Sequence, residues 1–437
     1  KMIEIFGLFL SLLIFLSFSL FPLNTKLYGK ICFTKTNYTF DFLFLNLLIN
    51  FVILFLISFT NLNYFNYFIF VIISSLILNI FYYLSNLNLK LKIFKNLNFV
   101  FFLVINLILF TYLSKDPTLS WDGLENWYFK AQGFFYNYNF FDLKVIKGVD
   151  YYPHFGTFIW GFFWKSSLLQ YEYSGRLIYI FLFLLSIFSV CDLIKNKNNL
   201  KIITTTGLIL VCFDNFLFKG YQEILVFSFL IFASKNFFYY LQNKKNIFLV
   251  ISFVCFSFLP WIKNEGYLFV IVFCISLLIL IKKFPKKNEI LLFILFSVLL
   301  LIIKHFLFLN YYESNLIHGG NFYLPDLTEI ILFIKLFSIG FIIAIFKYKI
   351  WLLILLVFYL FIKNNRIFKK NNNFADLLKI NLILFFILIF GIYFSVLNHD
   401  YGLSWWIDNS LDRIIYQISG LFIIILIIFL NNIKIKL

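Results

Sequence analysis

Twelve residues, Ser120–Ala131 ("SWDGLENWYFKA"), gather two carboxylates, an ammonium and two indoles between long apolar runs. Asp122 and Glu125 stand three apart, so on a helical turn they share a face. A carboxylate pair at that spacing can take a proton from a hydroxyl, or hold a divalent cation through oxygen ligands. The same spacing suits a helix start, with Asp122 at the N-cap and Glu125 at the third helical position. The two roles are compatible, because a capping aspartate can still face a cleft. Lys130, two turns further on, either pairs with a phosphate or snorkels toward lipid headgroups.

Other charges sit at the ends of apolar runs. Arg176 in "YSGRLIYIF" and Arg413 in "DNSLDRIIYQ" each begin one, and the planar guanidinium fork matches phosphate geometry. For Arg413 the competing role is a salt bridge to Asp408 or Asp412. The third arginine, Arg366, lies in a lysine cluster and reads as a topology signal. Glu223, in "FKGYQEILVF", opens a run just after a glycine turn, where the helix dipole favours a carboxylate. Lys263 and Glu265, in "LPWIKNEGYLF", make a tight turn that binds substrate or simply keeps solvated charge at the surface. His154, His318 and His399 fall between runs and His305 within one. No HExxH and no histidine pair at metal spacing is present, which disfavours a zinc hydrolase. No Gly-rich phosphate loop, GxSxG or Ser/His/Asp pattern appears, against nucleotide hydrolysis and acyl-serine chemistry. The five cysteines are scattered and read as small core residues.

The elements that must position these groups follow from composition. Of 437 residues, 62% are hydrophobic and 13% charged, and mean hydropathy is +0.92; soluble domains carry roughly 25% charged residues. The fold class expected is therefore all-α, a polytopic membrane helical bundle. A span takes about 20 apolar residues. That rule predicts about thirteen spans, near 3–22, 41–60, 64–85, 97–114, 175–194, 201–217, 223–241, 246–262, 266–282, 289–309, 349–363, 379–397 and 413–431. The first run lacks a small-residue cleavage site and reads as a retained span rather than a signal peptide. Abundant Phe, Ile, Asn and Lys beside scarce Ala and Arg suggest an AT-rich genome. The net charge of +17 is no argument for nucleic acid, since lysines cluster in short loops as the positive-inside rule expects.

Lys-rich loops at 23–40, 86–96, 195–201, 242–246, 282–288 and 363–371, with the tail 432–437, are expected on the cytoplasmic side. Fifteen of the twenty acidic residues fall in the alternate loops at 115–174, 214–223, 263–265, 310–329 and 398–412. Seven of the eight tryptophans lie there or at adjoining helix ends. The chemistry is expected on that acidic, aromatic outer face. Residues 329–347 look apolar enough to span, but counting them as a crossing puts "KNNRIFKK" on the wrong side, so a re-entrant or interfacial segment is expected. The thirteen crossings then place the N-terminus outside. Within the long outer loop, 123–138 is expected to be an amphipathic helix dipping Trp127, Phe134 and Phe135 into the interface. Residues 150–169 are expected to be a second helix begun by Pro153, lying flat or dipping into the membrane.

The order of these pieces resembles the GT-C class of integral-membrane glycosyltransferases, which includes bacterial aminoarabinose transferases and protein O-mannosyltransferases. The matching stretches are "WDGLENWYFKA" (121–131), "YYPHFGTFIWGFFW" (151–164), "GRLIYIFLFLLSIF" (175–188), "GYQEILVFSFLIFASK" (220–235), "LPWIKNEGYLFVI" (259–271) and "NSLDRIIYQ" (409–417). The resemblance covers roughly residues 97–431, including the outer loop 115–174, and leaves 1–96 as additional N-terminal spans. It implies transfer of a sugar from a polyprenyl-phosphate donor to a hydroxyl of a glycan, lipid or protein acceptor, at the outer face of a bacterial inner membrane. Asp122 would be the base, with Glu125 beside it. Arg413, Lys263, Lys130 and Arg176 would meet the donor phosphate. Glu223, Glu265, His154, Trp121, Trp127, Trp405 and Trp406 would line the substrate, the tryptophans stacking on sugar or lying at headgroup level. No cofactor is required; a divalent cation is compatible.

The chain departs from the family in three ways. Its two carboxylates are separated by Gly123-Leu124 where the family's pair is adjacent, which leaves the catalytic position to Asp122 or Glu125; Asp122 is preferred. About three spans precede the one that ordinarily comes first, and no large C-terminal outer domain follows. Two rival functions remain. A lipid-linked sugar transporter would cluster Lys304, His305 and Lys335 on one pathway. A polysaccharide polymerase or ligase would rely on outer-loop arginines and a histidine more than on a carboxylate.

Overall fold

In lipid every backbone N–H and C=O needs a partner within the chain, so long apolar runs fold as helices. The computed structural model describes residues 2–21, 39–85, 97–145, 152–194, 198–279, 287–312, 326–363, 372–396, 404 and 407–432. Among the described residues there is no strand, and each of the thirteen expected runs is a helix. In chain order these are α1 (Met2–Leu20), α2 (Thr39–Ile57), α3 (Tyr64–Ser85), α4 (Leu97–Lys115), α5 (Phe129–Phe135), α6 (Phe155–Ser166), α7 (Glu172–Cys191) and α8 (Asn198–Cys212). There follow α9 (Glu223–Asn243), α10 (Asn246–Ile262), α11 (Gly266–Ile279), α12 (Lys287–Tyr312), α13 (Leu327–Lys347), α14 (Ile350–Lys363), α15 (Asn372–Val396) and α16 (Asp412–Asn432). Eight helices among the described residues are long and apolar enough to cross a membrane: α1, α2, α4, α7, α9, α12, α13 and α16. The chain has the make-up of an integral membrane protein.

Helix α13 runs unbroken for 21 residues, roughly 32 Å at 1.5 Å per residue. Its start is set by a capping box: Asp326 Oδ1 accepts from the Glu329 N–H at 2.7 Å, and the Asp326 N–H donates to Glu329 Oε2 at 3.2 Å. Residues 123–138 are a π-helical turn (Gly123–Tyr128) followed by α5, which ends at Phe135. Trp127 and Phe134 are buried rather than dipped into an interface. Helix α6 begins at Phe155, two residues past Pro153, and every side chain from Phe155 to Trp164 is buried. A helix apolar on all faces buries all faces; α6 is an interior element of the first unit.

The chain forms two compact units. In the first, α1 packs on α2, α3 and α4, while α7 packs on α2, α4 and α6. Phe15 of α1 meets Phe163 at 4.9 Å, Phe181 at 5.5 Å and Phe110 at 6.0 Å between ring centroids. Lipid removes the hydrophobic reward for helix association, which leaves ring packing and buried polar links to hold helices together. Asn50 Nδ2 on α2 donates to the Phe18 and Phe21 carbonyls at 2.8 and 2.6 Å, and Asn46 Nδ2 to the Ser19 carbonyl at 2.9 Å. These amides satisfy the carbonyls that the end of α1 leaves open. Ser189 Oγ on α7 donates to Asp41 Oδ1 on α2 at 2.8 Å.

The second unit is built around α16, with α13, α14 and α15 against it. Ser234 Oγ of α9 and Asn381 Nδ2 of α15 both donate to the Leu421 carbonyl, at 3.1 and 2.7 Å. Trp351 Nε1 of α14 donates to the Ile415 carbonyl at 3.0 Å. Helix α11 closes on α10 through the stacked rings of Phe256 and Phe273, 3.9 Å apart.

Asn50→Ala removes two bonds to α1 and should destabilise the fold by about 1 kcal/mol, at the ~0.6 kcal/mol average measured per interhelical bond. Reversible unfolding in mixed micelles measures this, and an unchanged midpoint would deny the amide its role.

Candidate functional site

Asp122 and Glu125 ride on a segment that the first unit clamps from behind. Arg176 on α7 is fully buried. Its Nε donates to Glu172 Oε1 at 2.7 Å, and a terminal nitrogen to Glu172 Oε2 at 2.8 Å. The other terminal nitrogen donates to the Phe218 carbonyl at 2.8 Å, and the Pro117 carbonyl accepts a further short bond. The Trp160 ring lies 5.8 Å from the guanidinium carbon. A buried charge is tolerable when paired and fully hydrogen-bonded, and here that requirement ties the chain at 117 to the chain at 218.

Once tied, the two segments pair. The Ser120 N–H and Oγ both donate to the Lys219 carbonyl, at 2.9 and 3.0 Å. Ser120 Oγ in turn accepts from the Gly123 N–H at 3.0 Å, so Ser120 caps the π-helical turn. Gly220 has φ +97°, a conformation other residues rarely take. A Cβ on Gly220 would come within 2.8 Å of the Gly123 Cα, and one on Gly123 within 2.3 Å of the Lys219 carbonyl oxygen. At the rim, Lys219 Nζ holds Asp116 at 2.8 Å and Thr118 Oγ1 at 2.9 Å. The Lys219 ammonium, and then the Thr118 hydroxyl, push the Asp116 carboxyl down to about 2. Beneath, Gln222 Nε2 donates to Tyr179 Oη at 3.0 Å, and Tyr179 Oη donates to the Gly156 carbonyl at 3.0 Å.

On this platform Asp122 is half-buried, has helical backbone angles and makes no cap hydrogen bond. The cap expected of Asp122 belongs instead to Ser120, because it is the serine oxygen that reaches the Gly123 N–H. Asp122 Oδ1 accepts from Asn126 Nδ2 at a long 3.5 Å. Glu125 is exposed, as is Trp121 at 70%. Trp127 and Lys130 are buried, the Lys130 ammonium 5.9 Å from the Trp127 ring. His154 is buried against Phe140, ring centroids 5.0 Å apart. Glu223 is buried as the first residue of α9. Arg176, expected at a donor phosphate, is engaged by protein acceptors.

The remaining expected residues belong to the second unit. Lys263 Nζ and Glu265 Oε1 are 3.2 Å apart in the α10–α11 turn. Arg413 donates from Nε and a terminal nitrogen to the Asn409 carbonyl, at 3.2 and 2.8 Å, while Asp412 pairs with Lys347. Trp405, Trp406, His318 and His399 lie outside the described residues. Lys304 on α12 is buried beneath the same turn, 4.1 Å from the Tyr267 ring, and donates to Asn264 Oδ1 at 3.4 Å. His305 and Lys335 are exposed, so these three do not gather on one buried pathway. Among the described residues no three His, Cys, Asp or Glu side chains gather to hold a metal.

Glu172, Ser120 and the Lys219–Gly220 turn were missed from sequence. Glu172 had a signal, since Glu and Arg four apart on a helix form a favoured pair. Ser120, three before Gly123, had one as a potential cap. No family model, curated protein or solved structure matches the chain.

Gly220→Ala should cost roughly 1–3 kcal/mol from backbone strain and shift Asp122 with it. Gly207→Ala, whose Cβ would meet nothing within 4 Å, is the control and should leave thermal stability intact. The Asp116 carboxyl ionises at lower pH in the folded chain than at its unfolded value of ~4. Its pair with Lys219 therefore stabilises the fold above pH ~4 and ceases to do so as pH falls to about 2. Unfolding measured between pH 4 and 2 should lose part of its pH dependence in Asp116→Asn.

Proposed function

We propose that the chain is a membrane glycosyltransferase, moving a sugar from a polyprenyl-phosphate donor to a hydroxyl acceptor on the outer face. One observation carries the reading. Residues 120–123 carry a half-buried carboxylate, Asp122, on a backbone platform fixed by Ser120, Gly123 and Gly220, with the helix cap supplied by another side chain. A general base needs a fixed position within reach of the hydroxyl it deprotonates. Trp121 beside it offers an exposed ring face to a sugar.

Asp122 takes the proton of the acceptor hydroxyl as its oxygen bonds to the anomeric carbon. The bond from that carbon to the phosphate oxygen breaks, and its electron pair leaves with the phosphate. The sugar passes through an oxocarbenium-like state, and cationic side chains stabilise the charge growing on the departing group. Within the first unit, Arg176 is engaged by Glu172 and main-chain carbonyls and is left to hold the platform. Glu125, exposed one turn away, can steer the acceptor or share the proton. A lipid-linked donor suits a protein of this make-up, since its tail stays in the bilayer while its sugar reaches the loop.

The test is sugar transfer from a panel of polyprenyl-phosphate sugars by the purified chain in lipid. Asp122→Asn should lower turnover by about 10²–10⁴-fold, the span typical of a lost general base, with the melting temperature unchanged. Full activity in that variant would move the base to Glu125. An absence of turnover with every donor would remove the glycosyltransferase reading.

A further inference from the structure

A second polar site lies in the same unit, where the α2–α3 turn meets the chain following α5. The cleft is about 210 Å³ and is lined by Ser58, Thr60, Asn61, Leu62, Asn63, Tyr64, Asn137, Asn139 and Asp142. That is smaller than a drug-sized pocket and suits a single pyranose ring or a handful of waters.

Its walls are fixed by the chain's own bonds. Asn139 Oδ1 accepts from the Phe141 and Asp142 N–H groups at 2.8 and 2.9 Å, its Nδ2 donates to Asn61 Oδ1 at 3.1 Å, and its N–H donates to Asp142 Oδ2 at 3.0 Å. The Phe140 N–H donates to the Ser58 carbonyl at 2.7 Å, and the Phe59 and Phe140 rings stack at 4.3 Å. Asn63 Oδ1 accepts from the Phe65 N–H at 2.9 Å and so caps α3. These bonds leave specific polar atoms for a ligand among the described residues: Nδ2 of Asn61 and Asn63, the side-chain amide of Asn137, and Oδ1 of Asp142. Asn137 stands in the left-handed region at φ 66°. The buried Tyr64 contributes an aromatic ring to the lining.

The chemistry of the lining selects the ligand. Primary amides both donate and accept, as hydroxyls do, and a ring surface with a few placed polar groups fits a sugar's apolar face and hydroxyl rim. Among the described residues no lysine or arginine lines the cleft, which disfavours phosphate. A single carboxylate with one oxygen already bonded is a poor cation cage, since Ca²⁺ takes six to eight oxygens. We infer that this cleft is a subsite for one neutral pyranose. On the glycosyltransferase reading it would hold a sugar of the acceptor; that assignment rests on the reading, whereas the binding itself does not.

The test uses the full chain in lipid nanodiscs with methyl glycosides of glucose, galactose, mannose and N-acetylglucosamine, followed by saturation-transfer NMR. Asn63→Asp keeps the capping oxygen and removes the amide donor; Asn137→Gly keeps the left-handed turn and removes the side chain. The double variant should bind at least one glycoside about tenfold more weakly than the native chain, as expected for two lost hydrogen bonds, with thermal stability held. Leu62→Arg, at a rim position 68% exposed, crowds the cleft without touching those bonds and should weaken binding too. Glycosides that bind none of the chains, or bind all equally, overturn the subsite, as does inorganic phosphate or Ca²⁺ binding there in their place. Asp122→Asn should bind glycosides as the native chain does. Binding sensitive to Asn63 and Asn137, without sugar transfer by the native chain, would sustain the subsite and overturn the glycosyltransferase reading alone. Transfer with glycoside binding indifferent to both asparagines would do the reverse.

Discussion

The end of the first unit that carries Asp122 depends on one buried charge. Arg176 sits where water does not reach, and a guanidinium there must find acceptors for its donors or unfold its surroundings. Glu172, one turn earlier on the same helix, neutralises it. The carbonyls of Pro117 and Phe218 accept two more of its protons. Because the guanidinium fork is planar and rigid, meeting its demand brings two distant stretches of chain to one place. The Ser120–Lys219 bonds and the close passage of Gly123 beside Gly220 build on that meeting. The backbone that carries Asp122 inherits its path from the clamp.

The unit thereby separates support from display. Side chains that expectation would send outward, Trp127 and Lys130, are buried beneath the turn, while Trp121 and Glu125 face out. The same division recurs at the α2–α3 turn. There Asn139 knits the walls while Asn61, Asn63 and Asn137 line the cleft. Fixed backbone beneath and open polar groups above is what binding with little ordering cost requires.

The helices were legible because lipid leaves the backbone few options, so apolar runs such as 97–114 and 223–241 end within a few residues of α4 and α9. For residues 329–347 lysine counting argued only about sides, while Asp326 and Glu329 already held the signature of an ordinary helix start. The candidate carboxylates could be found from type and spacing, but their setting could not. Nothing in the local sequence says that Ser120 will cap the turn in place of Asp122, since that depends on Lys219 lying alongside. Burial of Lys130 and His154 likewise depends on α6 being enclosed on all sides. The asparagines near 61 and 139 were hidden by composition, being common throughout the chain. Their arrangement emerges only when two turns far apart in sequence meet.

The clamp also bears on how such a chain can drift. Arg176 grips main-chain oxygens at positions 117 and 218, and every amino acid carries one. Side chains there are free to change while the grip persists, so long as the backbone keeps its path. Positions 172 and 176 have no such latitude: acid and guanidinium must be retained or replaced together. In a lineage of related chains the segment after residue 117 could diversify along its length, and with it the molecules it meets, around two fixed points on a single helix.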